Sequence, residues 1–215
     1  TELLATHPDE TRAVIAAAMA LYAAGSYDRA NQILERIDAD KLKDSVFTQI
    51  RLRGSLEKND LAGAGKIIEE RLIGDPNDLG MRLALAQIKT RQMDLAGAAV
   101  ILETIRNQNP SSIEAVAGLV NIRIIQKDRD KAMSLCNEYL GQWKNPEGYI
   151  LRAKTHQAFG MNEESLRDVD AAIGMAPDSA MTWLAASQIL SKSGQLQRAY
   201  EAMSRAVEIA PLNLD

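Results

Sequence analysis

The chain is poor in the side chains on which small redox and metal machines depend. Among 215 residues there is one cysteine, Cys136, and there are two histidines, His7 and His156. A single thiol excludes an internal disulfide framework, and without other soft ligands it makes no zinc site. No run approaches the roughly 18 apolar residues that a membrane-spanning helix needs, so no direct membrane insertion is expected. There is no surplus of basic residues: 29 acids against 25 bases leave a net charge of -4. With a sequence pI near 5.4, the chain is not expected to bind nucleic acid in the general, phosphate-seeking way. Aromatics make up only 4%, yet 46% of residues are hydrophobic and 25% charged. That balance belongs to a folded chain and not to a disordered one. The first residues also lack the basic-then-apolar layout of a secretory signal.

What is present is a period. Pro76 and Pro110 are 34 residues apart, Pro177 and Pro211 again 34, and Pro8 and Pro76 twice that, 68. A row of small residues keeps the same time: Ala30, Ala64, Ala98 and Ala132 at intervals of 34, then Ser165 after 33 and Ala199 after 34. Two residue types on one clock divide the chain into six units, 11–44, 45–78, 79–112, 113–145, 146–179 and 180–213. They are expected to form a single repeat domain over 1–215, part of a longer chain.

Each unit reads as two helices. In the last, Trp183, Ala186, Ser187 and Leu190 share one face at spacings of three and four,. Gly194 breaks the run, Ala199, Met203 and Ala206 resume it, and Pro211 ends it. Gly25, Asn59, Gly160 and Gly194 occupy one position in their units, and both residue types tolerate the left-handed backbone past a helix end. The next position carries Ser26, Asp60, Asp94 and Asp128, whose short oxygens suit a helix N-cap. The β-branched stretches Val46 to Ile50 and Val120 to Ile125 fall inside helical registers, so the expectation is all-α. The small row should face Ala18, Leu52, Ala86, Val120, Ala153 and Ser187 across a close helix crossing. A second row, Leu34, Ile68, Leu102, Cys136, Val169 and Met203, should fill the core between units. That makes Cys136 a small buried hydrophobe instead of a nucleophile.

Catalysis needs reactive groups that converge, and none do so in the pattern; no enzyme activity, cofactor or metal site is expected. The stretch Ala62-Gly63-Ala64-Gly65-Lys66-Ile67 resembles a phosphate loop only superficially. Asp60 stands where the first glycine belongs and Ile67 where Ser or Thr would hold Mg²⁺. The acidic clusters Glu69-Glu70, Asp128 to Asp130, Glu163-Glu164 and Asp168 to Asp170 lack calcium-loop spacing and read as solvated faces and caps. His156 reads as a packing residue or a solvent-facing donor.

The sixth unit, with Trp183-Leu184-Ala185-Ala186, Gly194, Ala199, Met203, Ala206 and Pro211, resembles the tetratricopeptide repeat family. Tyr149 through Pro177, with Gly160, Ser165 and Ala172, is similar, and so are Leu21, Gly25, Tyr27, Ala30 and Leu34. The resemblance covers about 11–213, in the degenerate, alanine-rich style of bacterial members. There are departures. Thr48, Arg82 and Val116 replace the early aromatic, and Arg71 and Tyr139 replace a small or apolar residue late in the second helix. Unit four is one residue short, which predicts an irregularity between Gly141 and Glu147.

The resemblance implies a right-handed α-superhelical solenoid of about six helix-turn-helix repeats, its first helices lining a concave groove. It implies a non-enzymatic scaffold that binds a peptide or protein partner along that groove, in the manner of repeat regions in bacterial secretion, pilus or exopolysaccharide-export assemblies. The alternative is a regulatory or targeting repeat domain of a larger enzyme whose catalytic part lies elsewhere. An RNA-binding helical repeat is disfavoured by the period and the acidic pI. The expected compartment is a soluble one, bacterial cytoplasm or periplasm. Groove positions fall at the second, fifth, ninth and twelfth places of each first helix. From these, Met19, Tyr22, Gln49, Arg53, Gln87, Asn121, Lys154 and Gln188 are the expected partner-binding residues. Arg53 and Lys154 suit a carboxylate, and the amides suit a peptide main chain. The set that grips chaperone tails in one branch of the family is missing, since Ile15, Met19, Ile50, Gly80 and Ala84 stand at its places. Self-association through exposed end repeats, near Trp183 or Met203, is left open.

Overall fold

A computed structural model describes residues 8–34 and 45–211 of the chain. The described residues form twelve helices and no strand. In order they are α1 (Pro8–Ala23), α2 (Tyr27–Leu34), α3 (Ser45–Glu57), α4 (Leu61–Gly74), α5 (Leu79–Arg91) and α6 (Leu95–Gln108). There follow α7 (Ile113–Ile125), α8 (Arg129–Gln142), α9 (Pro146–Ala158), α10 (Asn162–Met175), α11 (Ala180–Lys192) and α12 (Leu196–Ile209). The pairing of helices follows the predicted period. The chain divides into two compact units, Thr1–Ala98 and Ala99–Asp215, with the division falling inside α6.

The turn inside each repeat explains the helix lengths. Gly25, Asn59, Met93, Lys127, Gly160 and Gly194 all adopt the left-handed backbone, with φ between 57° and 75°. The expected Gly and Asn positions are met, and Met93 and Lys127 adopt the same turn against a steric penalty of roughly 1–2 kcal/mol. Asp60, Asp94 and Asp128 then accept from the amides of Gly63, Gly97 and Lys131 at 2.8, 2.9 and 3.1 Å. These bonds satisfy amides that an open helix end leaves orphaned. For Asp94, the Gly97 amide and then Lys89 hold the carboxyl below the usual range. For Asp128, Lys131 does the same through its side chain and its amide.

A second set of caps goes beyond those expected. Asp78, Ser112, Asn145 and Ser179, each the last residue of its repeat, cap α5, α7, α9 and α11 by accepting from the amides of Met81, Ala115, Gly148 and Thr182. Their signal in the sequence is a short polar residue just before each first helix.

The small-residue crossing is real. Ala30, Ala64, Ala98, Ala132, Ser165 and Ala199 are all buried, as are Ala18, Ala86, Val120, Ala153 and Ser187 on the first helices, with Leu52 half-buried. Ser165 shows how close the approach is: its Oγ donates to the Ala153 carbonyl at 2.8 Å.

The short fourth repeat also behaves as its length requires. Only residues 143–145 separate α8 from α9, whereas residues 176–179 separate α10 from α11. Tyr139 fills the tightened junction. Its hydroxyl accepts from Asn145 Nδ2 at 2.9 Å and donates to the Ser111 carbonyl at 3.4 Å, while its ring lies 5.4 Å from that of Trp143. Gly148 makes the room, because a Cβ there would sit 3.0 Å from the Tyr139 ring and 2.8 Å from Leu140.

Candidate functional site

In the first compact unit, Met19 on α1, Gln49 and Arg53 on α3 and Gln87 on α5 are exposed. Tyr22 is not an open-face residue, contrary to expectation. It is only 5% exposed, and its ring covers Gly54, where a Cβ would come within 2.0 Å of a ring carbon. The missing side chain at Gly54 leaves a hollow between α1 and α3, and the ring fills it. Tyr22 also meets Tyr27 at a centroid distance of 6.1 Å. Burial pushes its phenol pKa up, with Arg51 opposing. Arg53 is paired within its own helix, Nε to Glu57 Oε1 at 2.9 Å. An exposed pair of this kind contributes about 1 kcal/mol or less, so a competing carboxylate can displace it.

In the second compact unit, Asn121 on α7, Lys154 on α9 and Gln188 on α11 are exposed. The structure brings Lys154 and Gln188 together. With Gln157, Ala158, Ile189 and Lys192 they line a cleft of about 360 Å³ between α9 and α11. Its floor is tied down by Gln157, whose Nε2 donates to the Ile189 carbonyl and to Ser193 Oγ, both at 2.9 Å. That bond serves a carbonyl in the last turn of α11 and fixes the spacing of the two helices. Lys154 and Lys192 have no carboxylate partner among the described residues. The cleft therefore offers two ammonium groups and a free Gln188 amide on a braced apolar base. Lys192 is not among the residues singled out from the sequence. It lies one place past the twelfth position, outside the places from which groove residues were expected, and still lines the cleft.

A different polar cluster lies inside the same compact unit. Arg152 donates to both oxygens of Asp168, at 2.9 and 2.7 Å, and to Asn137 Oδ1 at 2.9 Å. Asp168 is buried, which corrects the reading of Asp168 to Asp170 as a solvated face. His156 is buried too, its Nε2 3.5 Å from Asp168 Oδ2 and its Nδ1 without a hydrogen-bond partner. Burial pushes the His156 pKa down, with Asp168 pulling the other way. Cys136 Sγ sits 3.4 Å from Thr155 Oγ1, and burial pushes its thiol up, away from the reactive thiolate. Both Asp168 oxygens are taken by Arg152, so the carboxylate is not a free base. Among the described residues no group of three or more His, Cys, Asp or Glu is placed to hold a metal ion, and no helix is long and apolar enough to cross a membrane.

Residues 150–213 match the family model described as Tetratricopeptide repeat. No curated protein matches the chain. Among solved structures, a tetratricopeptide repeat protein from Parabacteroides merdae is 14% identical, with a TM-score of 0.65 over 97% of this chain and 82% of that one. TTC0263, a thermophilic TPR protein in Thermus thermophilus, is 19% identical, with a TM-score of 0.55 over 84% of this chain and 98% of its own. At such identities the likeness shows the fold, that of the all-α repeat superhelices. Turn geometry, the buried small-residue row and the solved structures agree on that fold for the chain, and the match to the tetratricopeptide repeat family lies in residues 150–213.

Proposed function

We propose that the chain is a non-enzymatic protein-interaction scaffold that holds an extended peptide along its first helices. The contacts would come, within the first compact unit, from Met19, Gln49, Arg53 and Gln87 and, within the second, from Asn121, Lys154 and Gln188, where the cleft between α9 and α11 would take an acidic side chain of the partner. The observation that carries this reading is the pair of ammonium groups, Lys154 and Lys192, left without carboxylates beside exposed amides. Charge-assisted bonds to a carboxylate are about twice as strong as neutral ones, and amides bind main chain without demanding charge. A scaffold role also suits the titratable groups that do cluster, because Arg152, Asp168 and Cys136 are consumed in packing.

Fluorescence anisotropy with two labelled peptides, one alternating Glu and Leu and one alternating Lys and Leu, tests the reading. The acidic peptide should bind more tightly, and Lys154→Glu with Lys192→Glu should reverse the preference. Equal binding of both peptides, or no effect of the substitutions, would overturn it.

A further inference from the structure

The junction between the third and fourth repeats departs from the pattern of the others at two places. Late in the second helix, repeats two, four, five and six carry an aliphatic residue, Leu72, Leu140, Ile173 and Val207. On α6 that place holds Arg106, half-buried. At the end of α8, Trp143 stands where repeats two, three, five and six have Asp75, Asn109, Ala176 and Ala210. The two exceptions face one space. Arg106, Val116, Leu135, Glu138, Gln142 and Trp143 line a pocket of about 190 Å³ between α6, α7 and α8, all within the second compact unit.

Val116 and Leu135 give the pocket an apolar base, and Trp143 gives it an aromatic wall. The wall is braced from behind by the Tyr139 ring, 5.4 Å away, whose hydroxyl is itself tied to Asn145 and Ser111. The Trp143 indole N–H has no hydrogen-bond partner among the described residues, whereas that of Trp183 donates to the Pro177 carbonyl at 2.7 Å. The charges do not balance. Arg106 is shared between Glu103 at 3.0 Å and Glu138 at 3.5 Å, so two carboxylates divide one guanidinium. The carboxylate that lines the pocket, Glu138, has the longer contact and the more exposed side chain, 58% against 39% for Glu103. An ion pair that open to water is weakly held.

We infer that this pocket receives an arginine side chain from an extended segment of a partner protein. The arginine's methylenes lie over Val116 and Leu135, its guanidinium stacks on the Trp143 indole, and its fork meets Glu138, which leaves Arg106 to Glu103. Arginine suits the site better than lysine, because a guanidinium is planar and weakly hydrated and can stack on an aromatic face while it bonds a carboxylate through two N–H groups. The Gln142 carbonyl oxygen accepts a further N–H. The preference for a cation is opposite in sign to that of the cleft between α9 and α11, and the inference does not rest on the function proposed for that cleft.

Nuclear magnetic resonance of the isotope-labelled 215-residue chain, titrated with N-acetylarginine methylamide, provides the test. The two tryptophans give two indole signals, and Trp143→Phe identifies its own by removing it. The Trp143 signal should move saturably while that of Trp183 stays in place. The citrulline counterpart, which has the same shape without the charge, and the lysine counterpart should both bind more weakly. Glu138→Gln should weaken the arginine derivative about fivefold with unchanged helicity by circular dichroism. Lys154→Glu with Lys192→Glu should leave its binding unaltered, which separates this pocket from the cleft. A Trp143 signal that does not move, an equal response to the citrulline or lysine counterpart, or unchanged affinity in Glu138→Gln would overturn the inference.

Discussion

The second and fifth repeats place the same residue at the same position and obtain different things from it. Arg51 and Arg152 both occupy the seventh place of a first helix, where repeats three, four and six have Leu85, Leu119 and Ala186. Arg51 Nη1 lies 3.3 Å from a Glu70 whose side chain is 62% exposed. Arg152 makes two bonds, at 2.9 and 2.7 Å, to an Asp168 whose side chain is 7% exposed. The acid's position decides this. Asp168 stands where Ile67, Ile101, Leu135 and Ala202 stand in other repeats, on the inward side of the second helix. Glu70 is three residues farther along α4, on its outer side. A repeat fold therefore prescribes volume and direction at a core position and leaves polarity open, provided that a charge placed there is answered.

The largest expected effect breaks or confirms that contrast. Arg152→Leu strands a buried carboxylate and should cost about 3–5 kcal/mol, read as a lowered urea midpoint. Arg51→Leu removes a pair that water already screens and should cost about 1 kcal/mol or less. Removing both charges, with Arg152→Leu and Asp168→Leu together, should recover most of the first loss, because an apolar pair can replace a buried ion pair. Equal effects of the two single variants would erase the distinction between the repeats.

The next effect concerns protons. Burial holds the His156 pKa below its ordinary value, against a smaller pull from Asp168. An unfolded chain takes up a proton at about pH 6.5, and the native chain resists it to lower pH. More protons then bind to the unfolded state, so stability rises with pH. The contribution is complete above the unfolded pKa and is lost as pH falls through the lower, folded one. Thermal melts should thus decline more steeply on acidification from pH 7 for the wild type than for His156→Leu, which borrows the residue of Leu190 at the same place in repeat six. Parallel declines would remove His156 from the account. Repeat two has Ser55 at this place and should show no counterpart.

The fold is legible in the sequence because its constraints are local and repeated. A left-handed turn selects Gly or Asn, a close crossing selects Ala or Ser, and each repetition restates the choice. Met93 and Lys127 are harder to read, since the turn is imposed on them by the helices either side. The exposed ninth-place residues follow from helix geometry, and so do Lys154 and Gln188 on neighbouring first helices. Tyr22 departs from its expected exposure because that exposure depends on a residue 32 positions later, Gly54. Asp168 departs for the same kind of reason, its partner lying one helix back. Periodicity reports which way a side chain points, but it does not report what stands opposite.

The smallest effect sharpens the comparison at the helix ends. Repeat two begins its second helix with a capped amide, Asp60 to Gly63, whereas Met161 at the matching place in repeat five makes no side-chain cap bond. Asp60→Ala should lower stability by about 1 kcal/mol. Met161→Asp should raise it, but by less than that loss. Glu163 and Glu164 already occupy the first turn of α10, where they complement the helix dipole, and a third carboxylate there adds repulsion to the new hydrogen bond. Met161→Asn supplies the acceptor without the charge and should give the larger gain, measured as the shift in the urea midpoint. If Asn were no better than Asp, the repulsion would be absent. If neither raised stability, the α10 terminus would not need a cap from this position.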